Sequence, residues 1–583
     1  MSRAAAFPNS IQRFKPVGSC NFTTTPKAVP TSAALAILLS LAPICAQAQT
    51  VNWNLVAGEA ARFPIPELPV GNRDFNEGSV SDFGLGQLGF RVLSPSASAG
   101  YWASQNGVLV RYTQLSSSGI FGPGRTGPEA THHFSSIRTG QNSTASDGQR
   151  AFLGKAGDPA NTTGASNGVW RWNGAQNIEI ARGGVEGLLG PGLAVGWSFE
   201  NVTLFVEEAR MLQGGQVLVH ADVTGPGVAR SRLLARHVPG VGNQPCMRVG
   251  FNTEAGLSPG LEPGDRFQGE SSTANISAAY DGRVYIRNTA VLNGPRLIQG
   301  IWRICDGAPR AQVVIRESGP RGPDIGIVGA QFENLKSGPL PDRGNGFYYF
   351  SEYCRTIPCD SPIGVPQVGL FHTQAAGNLG VAYNEPNGFH GPNWQNSSWK
   401  FFDVSSLSAA GQFTSFVSSV STLDGIDPTG LWRIRSGQRP ELAAMINSTE
   451  PAFAPEAGRT WAAFTGSAVF GNGDIVVAAR TNPGNVEGIW LLPRGGVPRK
   501  VLAPGQVLTF QTINGPVQET VRSFTLPVDG GDYASSRDSW VAADGTLLMF
   551  VGLVGDAGTL DGAYISTRLN VPDPLVVFAD GFE

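Results

Sequence analysis

Eight times along the chain the same signals return in the same order, and this periodicity restricts the fold more than any other feature. The first signal is a Phe in a short extended run: Phe75, Phe134, Phe199, Phe267, Phe332, Phe402, Phe464 and Phe524. The second is a Gly opening an alternating apolar segment: Gly86, Gly148, Gly215, Gly282, Gly346, Gly411, Gly473 and Gly545. These glycines recur with a mean spacing of about 66 residues, and Asp147, Asp281 and Asp544 precede three of them as hairpin-forming Asp-Gly pairs. The third signal is Gly, an apolar residue, then an aromatic, as in Gly100-Tyr101-Trp102, Gly168-Val169-Trp170, Gly300-Ile301-Trp302, Gly369-Leu370-Phe371, Gly430-Leu431-Trp432, Gly488-Ile489-Trp490 and Gly562-Ala563-Tyr564. Only the third repeat departs, with Ser231-Arg232-Leu233. A further short apolar run closes each unit, as at Val108–Tyr112, Ile178–Ala181 and Val313–Ile315.

Four short strands per unit, repeated radially, is the plan of a β-propeller blade. The pattern predicts an all-β chain of eight four-stranded blades. The eighth unit lacks its fourth strand, and Trp53–Glu59 resembles what is missing. The N-terminal strand is therefore expected to close the last blade, removing two exposed sheet edges. The organisation that follows is a leader at 1–48, one repeat-built domain at 49–570 and a tail at 571–583. The tail ends in Asp580-Gly581-Phe582-Glu583 and is expected either to fray or to act as a sorting signal.

The segments Gly148-Gln149-Arg150-Ala151-Phe152 and Gly86-Gln87-Leu88-Gly89-Phe90 resemble the tandem NxxGxxAF-type repeats of a family of secreted bacterial proteins. Ala145 stands where that motif has its Asn. The resemblance implies a propeller-like fold and export, and brings no catalytic residues with it.

Arg3, Arg13, Lys15 and Lys27 precede an apolar run from Ala33 to Ala46, and no acidic residue occurs before Glu59. With Ala46-Gln47-Ala48 as the cleavage site, this reads as a signal peptide, so the mature chain is expected in the periplasm, on the cell surface or outside the cell. Removing it leaves 38 Lys and Arg against 45 Asp and Glu, net −7, which disfavours nucleic acid as a partner. No segment is long and apolar enough for a membrane span. Four cysteines remain, Cys246, Cys305, Cys354 and Cys359. Three connectivities are open in principle. The short separation of Cys354 and Cys359 favours a bond between them, leaving Cys246 with Cys305 by elimination.

Chemical motifs are sparse. Gly164-Ala165-Ser166-Asn167-Gly168 matches a nucleophile elbow, but that motif needs a strand before and a helix after it, and here it is expected in a loop between two strands. His132, His133, His220, His237, His372 and His390 show no paired-ligand spacing. No catalytic residue, metal site or cofactor is therefore expected. The tryptophans of the third signal, Trp102, Trp170, Trp302, Trp432 and Trp490, are expected to pack between blades.

The segment 384–399 stands apart, with Phe389, His390, Trp394, Asn396 and Trp399 close together. Aromatic faces beside amides suit a glycan or peptide, and rigid scaffolds carry binding on their loops. The expectation is a monomeric, non-catalytic binding scaffold whose ligand is a glycan or a protein. Two alternatives are a secreted hydrolase or lyase acting on polysaccharide and a structural cell-surface module.

Overall fold

A computed structural model describes residues 51–569 apart from 59–73, 81–87, 94–99, 106–107, 145–148, 161–163, 201–205, 251–256, 269–275, 279–282, 295, 306–311, 317–322, 324, 326–329, 342–345, 356–366, 375–376, 386–387, 396, 426, 513–514, 527–539, 542–544, 556–557 and 559. The leader and the tail lie outside the described residues.

The repeats fold into eight antiparallel sheets in chain order. Sheet 1 comprises Asp74–Val80, Leu88–Leu93, Gly100–Gln105 and Val108–Gln114; sheet 2, His133–Thr144, Arg150–Gly157, Ser166–Trp172 and Asn177–Arg182. Sheet 3 joins Ser198–Phe199 and Val206–Met211 to Val217–Gly225, Val228–Val238 and Gly242–Arg248. Sheet 4 joins Arg266–Gln268 and Ile276–Ala278 to Val284–Val291, Leu297–Ile304 and Gln312–Arg316. Sheet 5 joins Gln331–Leu335 and Leu340–Pro341 to Phe347–Cys354, Gln367–Gln374 and Gly377–Ala382. Sheet 6 is Ser398–Ala410, Phe413–Ser421, Thr429–Arg435 and Glu441–Met445; sheet 7 is Thr460–Val469, Ile475–Asn482, Val486–Leu492 and Arg499–Leu502.

Sheet 8 runs Val507–Thr512, Gly515–Thr525, Thr546–Val554 and Leu560–Arg568, then takes Asn54–Gly58 as its last strand, with Leu55 opposite Ile565. Trp53 is buried among residues of sheets 7 and 8, and the Thr567 hydroxyl donates to the Asn52 carbonyl at 2.6 Å. The first strand of sheet 1 contacts the strands Thr546–Val554 and Leu560–Arg568 of sheet 8. The chain is all-β and belongs to the β-propeller class.

The third signal has a steric cause. Residues two apart share a strand face, so each aromatic folds back over the glycine before it. A Cβ at Gly168 would stand 2.7 Å from the Trp170 ring, and one at Gly488 would stand 2.4 Å from the Trp490 ring. At the same point the fourth strand slips register against the third, between Val169 and Trp170, Ile301 and Trp302, Leu370 and Phe371, Leu431 and Trp432, and Ile489 and Trp490. A bulge here raises the local twist and turns the aromatic edge-on to a ring of the first strand. Phe134–Trp170, Phe267–Trp302, Phe332–Phe371, Trp399–Trp432 and Trp461–Trp490 meet at 4.8–5.2 Å and 78–89°. The five repeat tryptophans are buried core residues.

These pairs correct the reading of the first signal. In sheets 6 and 7 its structural place belongs to Trp399 and Trp461, three residues before Phe402 and Phe464. One hydrogen bond marks the place independently. The residue just past a fourth strand turns left-handed and donates its N–H to the first strand of the next sheet. Ser116 (φ 56°), Gly184 (75°), Gly250 (78°), Asn447 (60°) and Gly505 (84°) reach the carbonyls of Phe134, Phe199, Phe267, Trp461 and Val521 at 2.7–3.0 Å. In sheet 8, where Val507–Thr512 is an additional outer strand, the corresponding strand is Gly515–Thr525 and the place is Val521 rather than Phe524. A bulge inside the first strand adds the residues that hide this register.

Cys246 and Cys305 are disulfide-bonded, tying the fourth strand of sheet 3 to the end of the third strand of sheet 4. Cys354 is also disulfide-bonded; Cys359 lies outside the described residues. Among the described residues no helix is long and apolar enough to cross a membrane.

Candidate functional site at the junction of sheets 5 and 6

Each junction carries the chain from the outer strand of one sheet to the first strand of the next. Two of them share a Gly-Pro-Gly turn, Gly122-Pro123-Gly124 and Gly190-Pro191-Gly192, pressed against the fourth strand of the following sheet. Asn177 donates from Nδ2 to the Gly122 carbonyl at 2.9 Å and the Tyr112 carbonyl at 3.1 Å. Asn243 repeats the arrangement with the Gly190 carbonyl at 2.8 Å and the Ile180 carbonyl at 2.9 Å. The approach is so close that a Cβ at Gly124 would stand 2.1 Å from the Asn177 carbonyl oxygen, and one at Gly192 1.9 Å from that of Asn243. Both glycines are left-handed, at φ 65° and 73°.

The junction between sheets 5 and 6 breaks this pattern in three places. Its turn is Gly391-Pro392-Asn393, with a side chain where the others need none. Pro440 occupies the register position of Asn177 and Asn243, counted from Trp432 opposite Leu442, and offers no side-chain donor. Asn384 bonds to the first strand through its side chain, accepting from the Trp399 N–H at 2.7 Å and donating to the Trp399 carbonyl at 2.8 Å. Released from the clamp, the connection borders two cavities of about 580 and 440 Å³ that share Glu385.

The larger is lined by Arg355, Gln367, Asn393, Trp394, Gln395 and Arg439, among others. Trp394 is half-buried, packing against the core between sheets 5 and 6 while lining the cavity. Gln395 holds φ at 42°, a conformation that costs a non-glycine residue about 1 kcal/mol or more. The Tyr353 hydroxyl donates to Gln367 Oε1 at 3.0 Å, and burial raises its pKa against the lowering effect of Arg355. The smaller cavity is lined by His372, Tyr383, His390 and Gln438 beside the backbone of Gly380.

The expected ligand residues divide. Phe389 is 42% exposed, edge-on to His390 at 5.2 Å and under the Arg439 guanidinium at 5.8 Å. His390 stacks on Tyr383 at 4.7 Å, its Nδ1 lies 3.4 Å from the Val381 carbonyl, and burial holds its pKa below the ordinary value. Trp394 faces the larger cavity, and Asn396 lies outside the described residues. Trp399 is a correction. It is 3% exposed, donates its indole N–H to the His390 carbonyl at 2.9 Å and serves as the first-strand ring of sheet 6, so it is a wall of the scaffold and offers no open face. Glu385 and Asn393 lie within the segment 384–399 singled out by sequence, though neither was named. Arg355, Gln367 and Arg439 were not singled out, and they come from other parts of the chain.

The remaining sequence candidates lie elsewhere. Ser166 opens a strand, and its hydroxyl accepts from Arg125 at 2.8 Å, which is not the geometry of a nucleophile. Arg125 also meets Glu179 at 2.7 Å and His132 Nδ1 at 3.0 Å. Arg182 bridges Glu179 and Glu129 at 2.5 and 2.9 Å. His220 is lowered to about 3 by burial and by Arg232. His237 is lowered to about 4, chiefly by burial, and lies 3.3 Å from Asn243 Oδ1. His372 stacks on Tyr348 at 4.1 Å. Among the described residues no group of three or more His, Cys, Asp or Glu could hold a metal.

Several solved structures match this chain at low similarity. The beta-propeller domain of the Trilobed protease from Pyrococcus furiosus is 6% identical, with a TM-score of 0.31, covering 73% of this chain and 97% of that one. An alpha-L-arabinanase from Penicillium chrysogenum is 11% identical, with a TM-score of 0.23, covering 61% and 91%. The Aleuria aurantia lectin is 10% identical, with a TM-score of 0.21, covering 74% and 95%. No curated protein matches the chain. A family model does match it from residue 76 to residue 578, and the chain accordingly belongs to the family of unknown function DUF7453.

Proposed function

We propose that the protein is an exported, non-catalytic binding module whose ligand, a glycan or an extended peptide, occupies the cleft between sheets 5 and 6. The observation that carries this reading is the exchange of a clamped turn for an open one at that junction. Pro440 and Asn393 stand where Asn and Gly close the two clamped turns, and half-buried Trp394 faces the space that results. In this reading each of the eight sheets is one blade of a ring locked by Asn54–Gly58, and a rigid ring holds the cleft preformed. A polysaccharide hydrolase is the second reading. Most glycosidases work with a pair of carboxylates, and Glu385 is the one carboxylate among the described residues lining the larger cavity, which favours binding.

An array of glycans and peptides probed with the mature protein, followed by Trp394→Ala, tests the proposal. The variant is expected to melt close to the parent and to lose about 2 kcal/mol or more of affinity for whatever the parent retains. Retention unchanged by Trp394→Ala would place the ligand elsewhere.

A further inference from the structure

We infer that the larger cavity takes a carboxylate-bearing sugar, a uronate, with its carboxylate held by Arg439 and Arg355 and its ring against Trp394; this rests on the binding role proposed above. Two guanidinium groups and one carboxylate, Glu385, line the space, so the cleft is cationic within a chain of formal net charge −3. Neither arginine forms an ion pair with a carboxylate among the described residues. Arg439 instead lies over the Phe389 ring, and Arg355 engages the neutral Tyr353 hydroxyl while its Nε is buried without a hydrogen-bond partner. Planar guanidinium forks match a carboxylate through paired N–H donors. By contrast, two buried arginines of the scaffold are paired internally, Arg125 with Glu179 and Arg433 with Glu441 and the Gly473 carbonyl.

The rest of the lining favours a sugar over an acidic peptide. Asn384 is committed to Trp399 through both amide atoms, and Gln367 accepts from Tyr353. Asn393, Gln395 and Ser398 line the same cavity as Trp394. Amides and a hydroxyl beside an aromatic face suit a hydroxyl-rich ring, whose apolar side stacks while its edge hydrogen-bonds.

The test titrates the mature protein with trimers of galacturonate, mannuronate and glucuronate, each beside its methyl ester, and with tetraglutamate. Amide exchange of residues 388–398 is followed in parallel. One uronate trimer is expected to bind and protect this segment, with its ester weaker by about tenfold or more, the usual effect of losing a charged hydrogen-bond acceptor. Arg439→Gln, at an exposed position that leaves the fold intact, should produce a similar loss, and Arg355→Gln should add to it. Equal binding of acid and ester, or binding indifferent to Arg439→Gln, overturns the charge assignment while leaving the cleft a binding site. Protection by tetraglutamate alone overturns the sugar assignment. If the uronates fail and a neutral glycan from the array protects 388–398, this inference falls and the binding role stands. If nothing protects the segment, both fall.

Discussion

The junctions entering sheet 2 and sheet 6 perform the same task with opposite results. Entering sheet 2, the chain is held by Asn177 and by a buried network in which Arg125, 3% exposed at its side chain, meets Glu179 while Arg182 joins Glu179 to Glu129. The charged groups there are used against one another, Arg125 and Arg182 both engaging Glu179. Entering sheet 6, Pro440 replaces the clamp, Asn393 replaces the close-packed glycine, and arginines line a cavity without carboxylate partners among the described residues. The scaffold beneath is unchanged, since both junctions sit on the same edge-on ring pair, Phe134–Trp170 and Trp399–Trp432. A repeat protein can thus open a site by withdrawing a few local contacts at one junction, with no alteration of its core.

If that separation of scaffold from site is right, Trp399 and Trp394 must behave differently although five residues apart. Trp399→Ala is expected to lower stability by about 3–5 kcal/mol, because a ring locked between Trp432, Phe402 and Phe416 leaves a cavity behind. Denaturant unfolding measures this, and a midpoint equal to the parent's would dissolve the distinction. Next in size is the clamp. Asn177→Leu strands the buried carbonyls of Gly122 and Tyr112 and is expected to cost about 1–3 kcal/mol, read by the same method; an unshifted midpoint would mean that the clamp does not hold the turn. Smallest is the converse change. Pro440→Asn with Asn393→Gly should convert the open junction to the clamped type, slowing amide exchange across 388–394 while moving stability by about 1 kcal/mol or less. Unaltered exchange would show that these two positions do not decide whether the junction opens.

Strand order and the buried role of the repeat tryptophans were legible because a glycine two residues before an aromatic is a local steric pattern, visible wherever it occurs. The first strand was harder. A bulge separates Trp399 from Phe402 and Trp461 from Phe464, so the recurring Phe kept an even spacing three residues beyond the true ring position. That error made Trp399 look like a loop residue and enlarged the apparent aromatic cluster of 384–399. The cleft itself was half visible. Phe389, His390 and Trp394 lie in one stretch, whereas Arg355, Arg439 and Pro440 arrive from neighbouring strands and acquire meaning only through the register between Trp432 and Leu442. The pairing of Cys246 with Cys305 followed from elimination and matches the structure.

The strand Asn54–Gly58 has a consequence for how the molecule assembles. Asn52 and Thr567, bonded to each other, are 515 residues apart in sequence, so the lock is among the most non-local contacts the chain makes. Loop closure across such a span is entropically costly and slow. The segment made first must wait unpaired until the strand made last is in place. During that interval the edge of Leu560–Arg568 is open to any extended chain, including the same segment of a second molecule. The misassembly to be expected of such a topology at high concentration is an exchange of closing strands between two copies, giving dimers whose individual sheets are all native.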